Sequence, residues 1–316
     1  MTGRKNFSRS SLALILKRLG WLNLLVVPGP ASRELGLRVA ELLGCETVPL
    51  DFKVFPDGES YLRFRRKVEG EDLLIVQTTA PPQDSNLIRL LLTVDGAKRL
   101  GAKTIKVFVP YLAYSRQDKS FLEGEAVSIN TVIRLIEALG TTEFYTVNVH
   151  SEDIMSRFRI PAFNLSAIPL LAEELKKSGL AGAVSIAPDK GARGLVEEAN
   201  RILKGGCGWL EKHRDRITGE IEMVEKSLDV AGKDVVVFDD IISTGGTMAS
   251  AVRIVKRLGA RRVYVACVHP LMLGDSEKKI FESGAEKIIG TDTIPGKFSS
   301  VSVAPLIAKA VSSEGK

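Results

Sequence analysis

The segment DDIISTGGT, residues 239–247, combines residue types that can bind a phosphate and a sugar. It follows the apolar run VVVF and precedes a helical pattern, so its polar groups lie where a strand ends and a helix begins. A helix N-terminus offers unpaired N–H groups and partial positive charge, and glycines let a phosphate approach that backbone closely. Asp239 and Asp240 suit the vicinal hydroxyls of a sugar or a magnesium ion. The structural alternative is an acidic N-cap followed by a Gly-rich turn.

Two further loops carry polar residues in patterns that suit a nucleotide. FPDGE (residues 55–59) lies between two strand-like runs, and the structural alternative is an ordinary Pro-Asp-Gly turn. The segment PYLAYSRQDKSFLEGE (residues 110–125) follows a strand and is long for a simple connection. Within it, the planar guanidinium of Arg116 can clamp phosphate oxygens, while Gln117 and Glu59 can pair with a base or ribose. The alternative for this segment is a solvated charged loop.

A third loop, GGCGWLEKHRDR (residues 205–216), places Lys212 and Arg214 after glycines that can act as a hinge. By composition alone it can equally be a basic surface loop. Two single residues, His150 and Asp189, each follow a predicted strand, although a strand-end histidine more often bonds to its neighbours. His269 lacks partner residues at ligand spacing, so we predict a structural role for it.

The elements that must position these residues alternate between short apolar runs and helical spacing. Strands are predicted at Leu24–Val27, Leu73–Gln77, Ile105–Val109, Phe144–Val149, Ala183–Ala187, Val235–Phe238, Val263–Val268 and Lys287–Gly290. Amphipathic helices are predicted between them, in the first half at Leu35–Leu42, Leu87–Ala97 and Ser128–Leu139. Gly44 closes the first of these and Gly140 the third. Strands that are apolar on both faces and alternate with helices predict parallel sheets covered on each side. The last helix, Val303–Val311, can belong to either half.

Composition excludes several classes of function. The 316 residues are 45% hydrophobic and 26% charged, as in globular proteins. The net charge of +6 comes from Lys and Arg spread along the chain, which predicts no nucleic-acid partner. Three cysteines without a CxxC pair indicate neither zinc nor disulfides, so a reducing cytoplasm is expected. No apolar run approaches the ~20 residues needed to cross a membrane. Residues 1–22, basic and amphipathic, are expected to be an N-terminal extension.

The motifs together resemble one family. DDIISTGGT is similar to the ribose 5-phosphate loop shared by phosphoribosyltransferases and ribose-phosphate pyrophosphokinases, whereas FPDGE and SRQDK resemble ATP-binding segments of the pyrophosphokinases alone. The Lys-x-Arg of the third loop resembles their catalytic flap, and NVH (148–150) and PDKGA (188–192) complete the family's order. From Leu24 onward the chain is identified as a member of the ribose-phosphate pyrophosphokinase family. Ser243, where bacterial and animal members carry an acid, favours the archaeal-type branch, and Asn148 replaces the usual Asp.

The resemblance implies transfer of the β,γ-diphosphoryl group of ATP to the 1-hydroxyl of ribose 5-phosphate, giving phosphoribosyl pyrophosphate and AMP for nucleotide biosynthesis. It assigns catalysis to Lys212 and Arg214, and the Mg²⁺ cofactor to His150 and Asp189. It assigns ATP binding to Phe55, Asp57, Gly58, Glu59, Arg116, Gln117 and Asp118. It assigns ribose 5-phosphate binding to Arg214, Asp239, Asp240, Ser243, Thr244, Gly245, Gly246 and Thr247. No GxxxxGK[ST] motif occurs, so scattered side chains must hold the nucleotide.

The family also implies an α/β fold with two phosphoribosyltransferase-like domains, each a mainly parallel sheet flanked by helices. Residues 23–165 are expected to form the ATP side and residues 166–316 the ribose 5-phosphate side. A cytoplasmic homo-oligomer is implied, in which the FPDGE loop of one subunit completes the ATP site of its neighbour, with no membrane partner. Two alternatives remain at this point: a phosphoribosyltransferase that consumes the pyrophosphate, and a non-catalytic synthetase-associated regulatory subunit.

Overall fold

The computed structural model describes residues 24–214, 221–224 and 228–313, with the backbone alone described at 211–214, 221–224 and 313. These residues form two compact units. Of the described residues, the first unit contains 24–146, 151–164 and 304–313, and the second contains 147–150 and those between 165 and 303. The expected N-terminal extension, residues 1–22, lies outside the described residues. The predicted boundary at residues 165/166 stays a prediction.

The first unit is built on a five-stranded sheet and a separate hairpin. The strands are β1 (Leu24–Pro28), β2 (Leu50–Val54), β3 (Ser60–Phe64), β4 (Asp72–Val76), β5 (Thr104–Val109), β6 (Glu143–Val147) and β7 (Ala162–Leu165). The sheet order is β1-β4-β5-β6-β7, with parallel pairing from β1 through β6, while β2 and β3 form the antiparallel hairpin. The side chains of Leu73–Val76 in β4 are fully buried, because helices cover both faces of a parallel sheet.

The helices of the first unit follow the predicted apolar spacing. They are α1 (Arg33–Leu43), α2 (Gln83–Arg99), α3 (Ser128–Ala138) and a 3₁₀ helix (Glu152–Arg157). Gly44 ends α1 in the left-handed conformation, with φ of 63°, as a C-terminal glycine does. The positions predicted from sequence for these three α-helices are therefore confirmed to within a few residues.

The second unit contains a six-stranded sheet in which every pair of neighbours is parallel. Its strands, with those of a second hairpin, are β8 (Val184–Ala187), β9 (Cys207–Trp209), β10 (Glu211–Arg214), β11 (Ile221–Val224), β12 (Asp234–Ile242), β13 (Arg262–Pro270), β14 (Lys287–Thr291) and β15 (Ser299–Val301). The sheet order is β15-β14-β13-β12-β8-β9, and β10 and β11 pair with each other in antiparallel fashion. The mainly parallel α/β architecture is thus confirmed.

The helices of the second unit are α4 (Ile168–Leu175), which continues into a π turn (Lys176–Leu180), a 3₁₀ turn (Lys190–Ala192), α5 (Arg193–Leu203), α6 (Gly246–Arg257) and α7 (Ser276–Glu282). The remaining helix, α8 (Ala304–Ser313), returns to the first unit and packs on α1. Its apolar residues Ile307 and Val311 are buried there. Within the described part of the chain, no helix is both long enough and apolar enough to cross a membrane.

Two predicted strand ends at the site differ from the structure. β6 ends at Val147 and not at Val149, because Asn148 takes a left-handed φ of 38° that breaks the extended backbone. β12 continues past Phe238 to Ile242, because β13 pairs with it as far as Ile242↔Pro270. Asp239 and Asp240 remain in β12 despite their polarity, because β13 continues to pair with this part of the strand.

Candidate active site

The phosphate loop begins where β12 leaves the sheet. The Ile242 and Ser243 carbonyls accept hydrogen bonds from the N–H groups of Met272 and Leu273, at 3.0 and 2.9 Å, so the strand is tied down to the start of the loop. Gly245 caps α6 with a φ of 76°, a conformation that favours glycine. A Cβ on Gly245 would lie 2.9 Å from the Ser276 Cβ, so both the backbone angle and the packing require glycine at this position.

The loop presents its polar atoms outward. Thr244, Gly246 and Thr247 are exposed, Ser243 is partly buried, and Gly245 is buried beneath them. A Cβ on Gly246 would meet no atom within 4 Å, which leaves open space in front of the helix N-terminus. The first N–H groups of a helix have no partner within it, and the positive end of the helix dipole lies there. The loop therefore has the form of a phosphate cradle.

The two acids of the loop have different surroundings. Burial raises the pKa of the Asp239 carboxyl well above its usual range, and the charges of Asp240 and Asp189 add to the shift. Burial opposes ionisation of Asp240 too, but the hydrogen bond and charge of His150 outweigh it, so the pKa of Asp240 lies below its usual value. His150 Nδ1 lies 2.8 Å from Asp240 Oδ2. Asp240 therefore loses its proton more readily than Asp239 does.

The segment that carries His150 is fixed by main-chain contacts. The Asn148 N–H donates to the Leu165 carbonyl at 2.9 Å, and the Asn148 Oδ1 accepts from the Ala167 N–H at 2.7 Å. Asn148 is therefore a backbone-binding side chain that is 8% exposed. An amide oxygen performs this acceptor role as well as a carboxylate does, which gives a physical reason why this chain tolerates Asn where the family usually has Asp.

Asp189 lies just beyond the end of β8. Its Oδ1 accepts the N–H of Gly191 at 2.9 Å and so caps the short 3₁₀ turn. The same carboxylate lies close enough to Asp239 to raise the pKa of Asp239. The structure therefore brings together three of the residues proposed from sequence, Asp189, Asp239 and Asp240, near the carboxyl ends of the neighbouring strands β8 and β12. His150 is hydrogen-bonded to Asp240.

The basic loop forms a hairpin whose side chains lie outside the described part of the structure. In the backbone, β10 and β11 pair with Lys212 opposite Met223 and Arg214 opposite Ile221. Lys212 and Arg214 are therefore placed on β10, but the positions of their charged groups stay predictions. Gly205, before this hairpin, packs against the Gly182 and Ala183 backbone, where a Cβ would lie 2.2 Å from the nearest oxygen. This close approach gives a reason for glycine at 205 that is different from the hinge suggested by the sequence.

In the first unit, FPDGE forms the turn between β2 and β3. The Phe55 N–H donates to the Glu59 carbonyl at 2.8 Å, and the Glu59 N–H donates to Asp57 Oδ1 at 3.1 Å. Gly58 has a φ of 96°, which explains the glycine at this position. Phe55 is 38% exposed and packs edge-on against Tyr61 at 6.1 Å between ring centroids. The turn thus holds an aromatic ring and two carboxylates at the tip of a hairpin.

The loop after β5 is anchored at its root and exposed beyond it. Thr79 Oγ1 donates to the Tyr111 carbonyl and accepts from the Ala113 N–H, both at 2.8 Å. Beyond this anchor Arg116 and Gln117 are exposed and Asp118 is partly buried. No sequence motif marks Thr79, because its role depends on contacts across more than 30 positions of the chain.

The residues at the sheet edge fit magnesium that arrives with a substrate. Among the described residues, no three His, Cys, Asp or Glu side chains lie together so that they could hold a metal ion by themselves. Magnesium, however, is usually held by one or two carboxylates together with substrate phosphates and water. Asp189, Asp239 and Asp240 supply hard oxygen donors, and a cation nearby would relieve the charge repulsion that adds to burial in raising the pKa of Asp239.

Comparison with known proteins identifies the family. The N-terminal domain of ribose phosphate pyrophosphokinase matches residues 24–140, and the phosphoribosyl transferase domain matches residues 164–301. The ribose-phosphate pyrophosphokinase of Methanothermobacter thermautotrophicus is 45% identical over 285 residues, which cover 90% of this chain and 98% of that one. The chain belongs to the ribose-phosphate pyrophosphokinase family.

Other members of the ribose-phosphate pyrophosphokinase family agree in sequence and in fold. The protein from Saccharolobus solfataricus is 36% identical, with 86% of this chain and 93% of that one covered. The crystal structure of phosphoribosylpyrophosphate synthetase from Mycobacterium smegmatis superposes with a TM-score of 0.83 at 29% identity and covers 92% of this chain and 98% of that one. The predictions of an enzyme of this family, with its two domains and archaeal relatives, are confirmed.

Proposed function

We propose that this protein transfers the β,γ-diphosphoryl group of ATP to the 1-hydroxyl of ribose 5-phosphate. The observation that carries the proposal is the loop Ser243–Thr247 at the start of α6, whose residues 244, 246 and 247 are exposed, in a chain of this family. Asp239 and Asp240 precede this loop on β12. The ribose O1 attacks the β-phosphorus, and the bond from that phosphorus to the oxygen bridging it to the α-phosphorus breaks. AMP leaves with that oxygen, and the hydroxyl proton is released.

Ribose 5-phosphate binds at the loop and the acids. The phosphate accepts N–H and hydroxyl hydrogen bonds from the loop at the helix N-terminus, where the dipole adds to its stabilisation. Asp239 and Asp240 accept hydrogen bonds from the ribose hydroxyls. Because Asp239 retains its proton more readily than Asp240, the pair can offer one donor and several acceptors to a sugar.

ATP is held by the hairpin turn and the loop after β5. Phe55 supplies a face against which the adenine can stack, while Asp57 and Glu59 accept hydrogen bonds and Gly58 permits the turn. In the second loop, the guanidinium of Arg116 binds phosphate oxygens in bidentate fashion, with Gln117 and Asp118 beside it. Because ATP contacts are distributed over these two loops, a chain without a P-loop motif can still bind a nucleotide.

Lys212 and Arg214 stabilise the charge that shifts between phosphates during transfer. In a loose, in-line transition state the leaving α-phosphate oxygen and the non-bridging oxygens gain negative charge, and fixed cations lower the barrier most when they act on those oxygens. Arg214 also contacts the ribose 5-phosphate. Replacing either residue by Ala is expected to reduce kcat by about two to three orders of magnitude.

Magnesium belongs to the proposal as the partner of ATP, held on the protein side by Asp189 and His150. When bound, it neutralises negative charge on the β- and γ-phosphate oxygens. The hydrogen bond between His150 and Asp240 fixes the imidazole ring whether or not the ring itself contacts the ion. We further propose that the enzyme acts in the cytoplasm as a homo-oligomer with the ATP site at a subunit interface.

One experiment separates this function from its rivals. The purified protein is incubated with magnesium, ATP and ribose 5-phosphate, and nucleotides are resolved by chromatography. The proposal predicts AMP that appears only when ribose 5-phosphate is present, with ADP absent as a product. A phosphoribosyltransferase would instead release pyrophosphate on addition of a base without needing ATP, and a regulatory subunit would do neither. Absence of AMP at every phosphate concentration tested refutes the proposal.

A further inference from the structure

His269 links two parts of the second unit that are far apart in sequence. It lies on β13 opposite Ile241, one position beyond Asp240, and is 2% exposed. Its Nδ1 lies 2.9 Å from the Thr293 Oγ1, and its Nε2 lies 3.0 Å from the Val147 carbonyl oxygen and 3.4 Å from that of Asn148. The imidazole thus contacts the main chain immediately before His150.

The hydrogen-bond partners determine which ring nitrogen carries the proton. A carbonyl oxygen can only accept, so Nε2, which faces two of them, must be the donor. In the neutral ring Nδ1 then accepts, and the Thr293 hydroxyl donates to it. The Thr293 Oγ1 also lies 2.9 Å from the Val268 carbonyl oxygen, but the Thr291 hydroxyl donates to that carbonyl at 2.7 Å, so the Thr293 proton can be given to Nδ1 of the Nε2–H tautomer.

The contacted segment is one whose geometry must be held in place. Asn148 has a left-handed φ of 38°, an uncommon conformation for a residue other than glycine. Its N–H and side chain are tied to Leu165 and Ala167, and the carbonyl before it faces His269 on β13. Two residues later, His150 places Nδ1 2.8 Å from Asp240. The backbone between these anchors therefore sets the direction in which the His150 side chain points.

We propose that His269 is a positioning residue, whose Nε2–H holds the Val147–Asn148 main chain and thereby orients His150 toward Asp240. The consequence for catalysis rests on the proposed function, but the consequence for His150 does not. Sequence suggested only a structural histidine, because the carbonyls that face its Nε2 lie more than 120 positions away. A histidine that merely fills the core would contribute to stability and leave His150 unchanged.

Two matched variants test the proposal. Gln reaches the position of the imidazole Nε2 and can still donate to the Val147 carbonyl, whereas Asn reaches only the position of Nδ1. His269→Gln should therefore retain the His150–Asp240 hydrogen bond, and His269→Asn should lose it. The chain has three histidines, so the imidazole signals in ¹H–¹⁵N spectra can be assigned by elimination. His213, on β10, serves as the internal control.

All variants are compared with the wild type by the same ¹H–¹⁵N spectra and by AMP formation. The wild type shows His269 as the Nε2–H tautomer and a downfield Nδ1 proton on His150, which Asp240→Asn removes. His269→Gln keeps that proton, and His269→Asn loses it while its His213 signals stay unchanged. AMP formation falls by about 10- to 100-fold in the Asn variant, the usual effect of removing a residue that orients a ligand, and by much less in the Gln variant.

A second pair of variants covers the case in which His269→Asn fails to fold. His269→Met has the length of Gln but no donor for the Val147 carbonyl, so it should lose the His150 proton that His269→Gln keeps. An unchanged His150 signal in folded His269→Asn or in folded His269→Met overturns the proposal. Loss of the signal in a protein that makes no AMP even as the wild type would support His269 but refute the proposed function.

Discussion

Asp239 and Asp240 are adjacent carboxylates whose pKa values are shifted in opposite directions by the fold. Burial and the charges of Asp240 and Asp189 raise the pKa of Asp239, while His150 lowers that of Asp240 despite its burial. Pairs of titratable groups whose surroundings separate their pKa values are typical of functional sites. The sequence identified both acids, but it could not assign them different protonation, because His150 and Asp189 meet them only in the folded chain.

We predict that Asp239→Asn stabilises the protein while it impairs binding of ribose 5-phosphate. A carboxyl whose pKa is raised on folding destabilises the fold once the pH exceeds its unfolded value of 3.8. The Asn oxygen can still accept the Asp240 N–H at 3.0 Å. At pH 7 in EDTA, the free energy of unfolding should rise by about 1 kcal/mol, and KM for ribose 5-phosphate by about 10-fold or more.

The pH dependence checks the cause of this gain. Below pH 3.8 the Asp239 carboxyl is protonated in both folded and unfolded states, so the advantage of the Asn variant should vanish as the pH falls toward that value. Urea unfolding of both proteins between pH 4 and 8 measures the difference. A gain that is the same at every pH would show that the charge of Asp239 is not its source.

Gly245 and Gly246 form a matched pair within the phosphate loop. We predict that Gly245→Ala lowers the free energy of unfolding by about 2 kcal/mol, because alanine is strained at positive φ and its Cβ would lie 2.9 Å from that of Ser276. Gly246→Ala meets no atom within 4 Å and should leave stability unchanged or improve it. Denaturant unfolding compares the two. Equal losses would contradict the strained conformation of Gly245.

At the scale of elements, the repeating strands and helices were predictable and the strand ends were not. Periodicity located β1, β4, β5, β8 and β13 because a parallel strand buried on both faces is a continuous apolar run. β12 runs beyond its apolar core because its neighbour β13 continues to pair with it. Sheet pairing is a contact between distant segments, so its extent cannot be read from either segment alone.

Short or edge strands escaped prediction for the same reason. β7, β9 and β15 are three or four residues long and are defined by the neighbours they pair with. The positive φ of Asn148 likewise results from its contacts with Leu165 and Ala167. The site residues could be predicted from motifs. The long-range contacts of Thr79 and His269 that hold neighbouring segments in place could not.

Arg89 on α2 shows how an element positions a functional turn. Its Nε donates to Ser60 Oγ at 3.1 Å, its Nη1 donates to Asn86 Oδ1 at 2.8 Å, and its guanidinium lies 4.8 Å from the centre of the Phe52 ring. Phe52 and Ser60 belong to the two strands of the hairpin that presents FPDGE. Arg89 therefore fastens this hairpin to the helix beneath it, although no sequence motif marks it.

We predict that Arg89→Met raises KM for ATP by about 10-fold, because a hydrogen bond and a cation–π contact that hold the hairpin are lost. The matched control is Arg99→Met on the same helix, where the arginine is exposed and pairs only loosely with Asp95 at 3.6 Å. Initial rates at varied ATP measure both variants, with KM for ribose 5-phosphate as the internal reference. If the two variants behave alike, the hairpin does not depend on Arg89.

At the scale of the whole molecule, the order of the chain does not follow the order of its units. The first unit takes α8 from the end of the chain, and the second takes Val147–His150 from the end of a strand that belongs to the first sheet. His150 therefore sits with Asp240 although it precedes most of the second unit in sequence. The sequence predicts one domain boundary, at residues 165/166. A single boundary cannot describe a segment such as Val147–His150, which belongs to the second unit although the residues on both sides of it in sequence belong to the first.

The proposed sharing of the ATP site between subunits leads to a prediction about mixed assemblies. The FPDGE turn ends a hairpin with several exposed apolar side chains, among them Phe52, Val54 and Tyr61, as expected of a surface that meets another molecule. We predict that Asp57→Ala and Lys212→Ala, each inactive alone, regain activity when the two variants are co-expressed and purified as one mixture. In a mixed pair, the turn from the Lys212→Ala subunit completes the site that keeps an intact flap.

The expected recovery follows from counting sites. Random pairing makes half of the dimers mixed, and one of the two sites in each is intact, so the mixture should reach about a quarter of wild-type activity. The control is a mixture of Lys212→Ala with Arg214→Ala, because both changes lie on β10 of one subunit's flap and no mixed pair then contains an intact flap. Recovery in this control, or none with Asp57→Ala, would mean that each subunit supplies its own FPDGE turn.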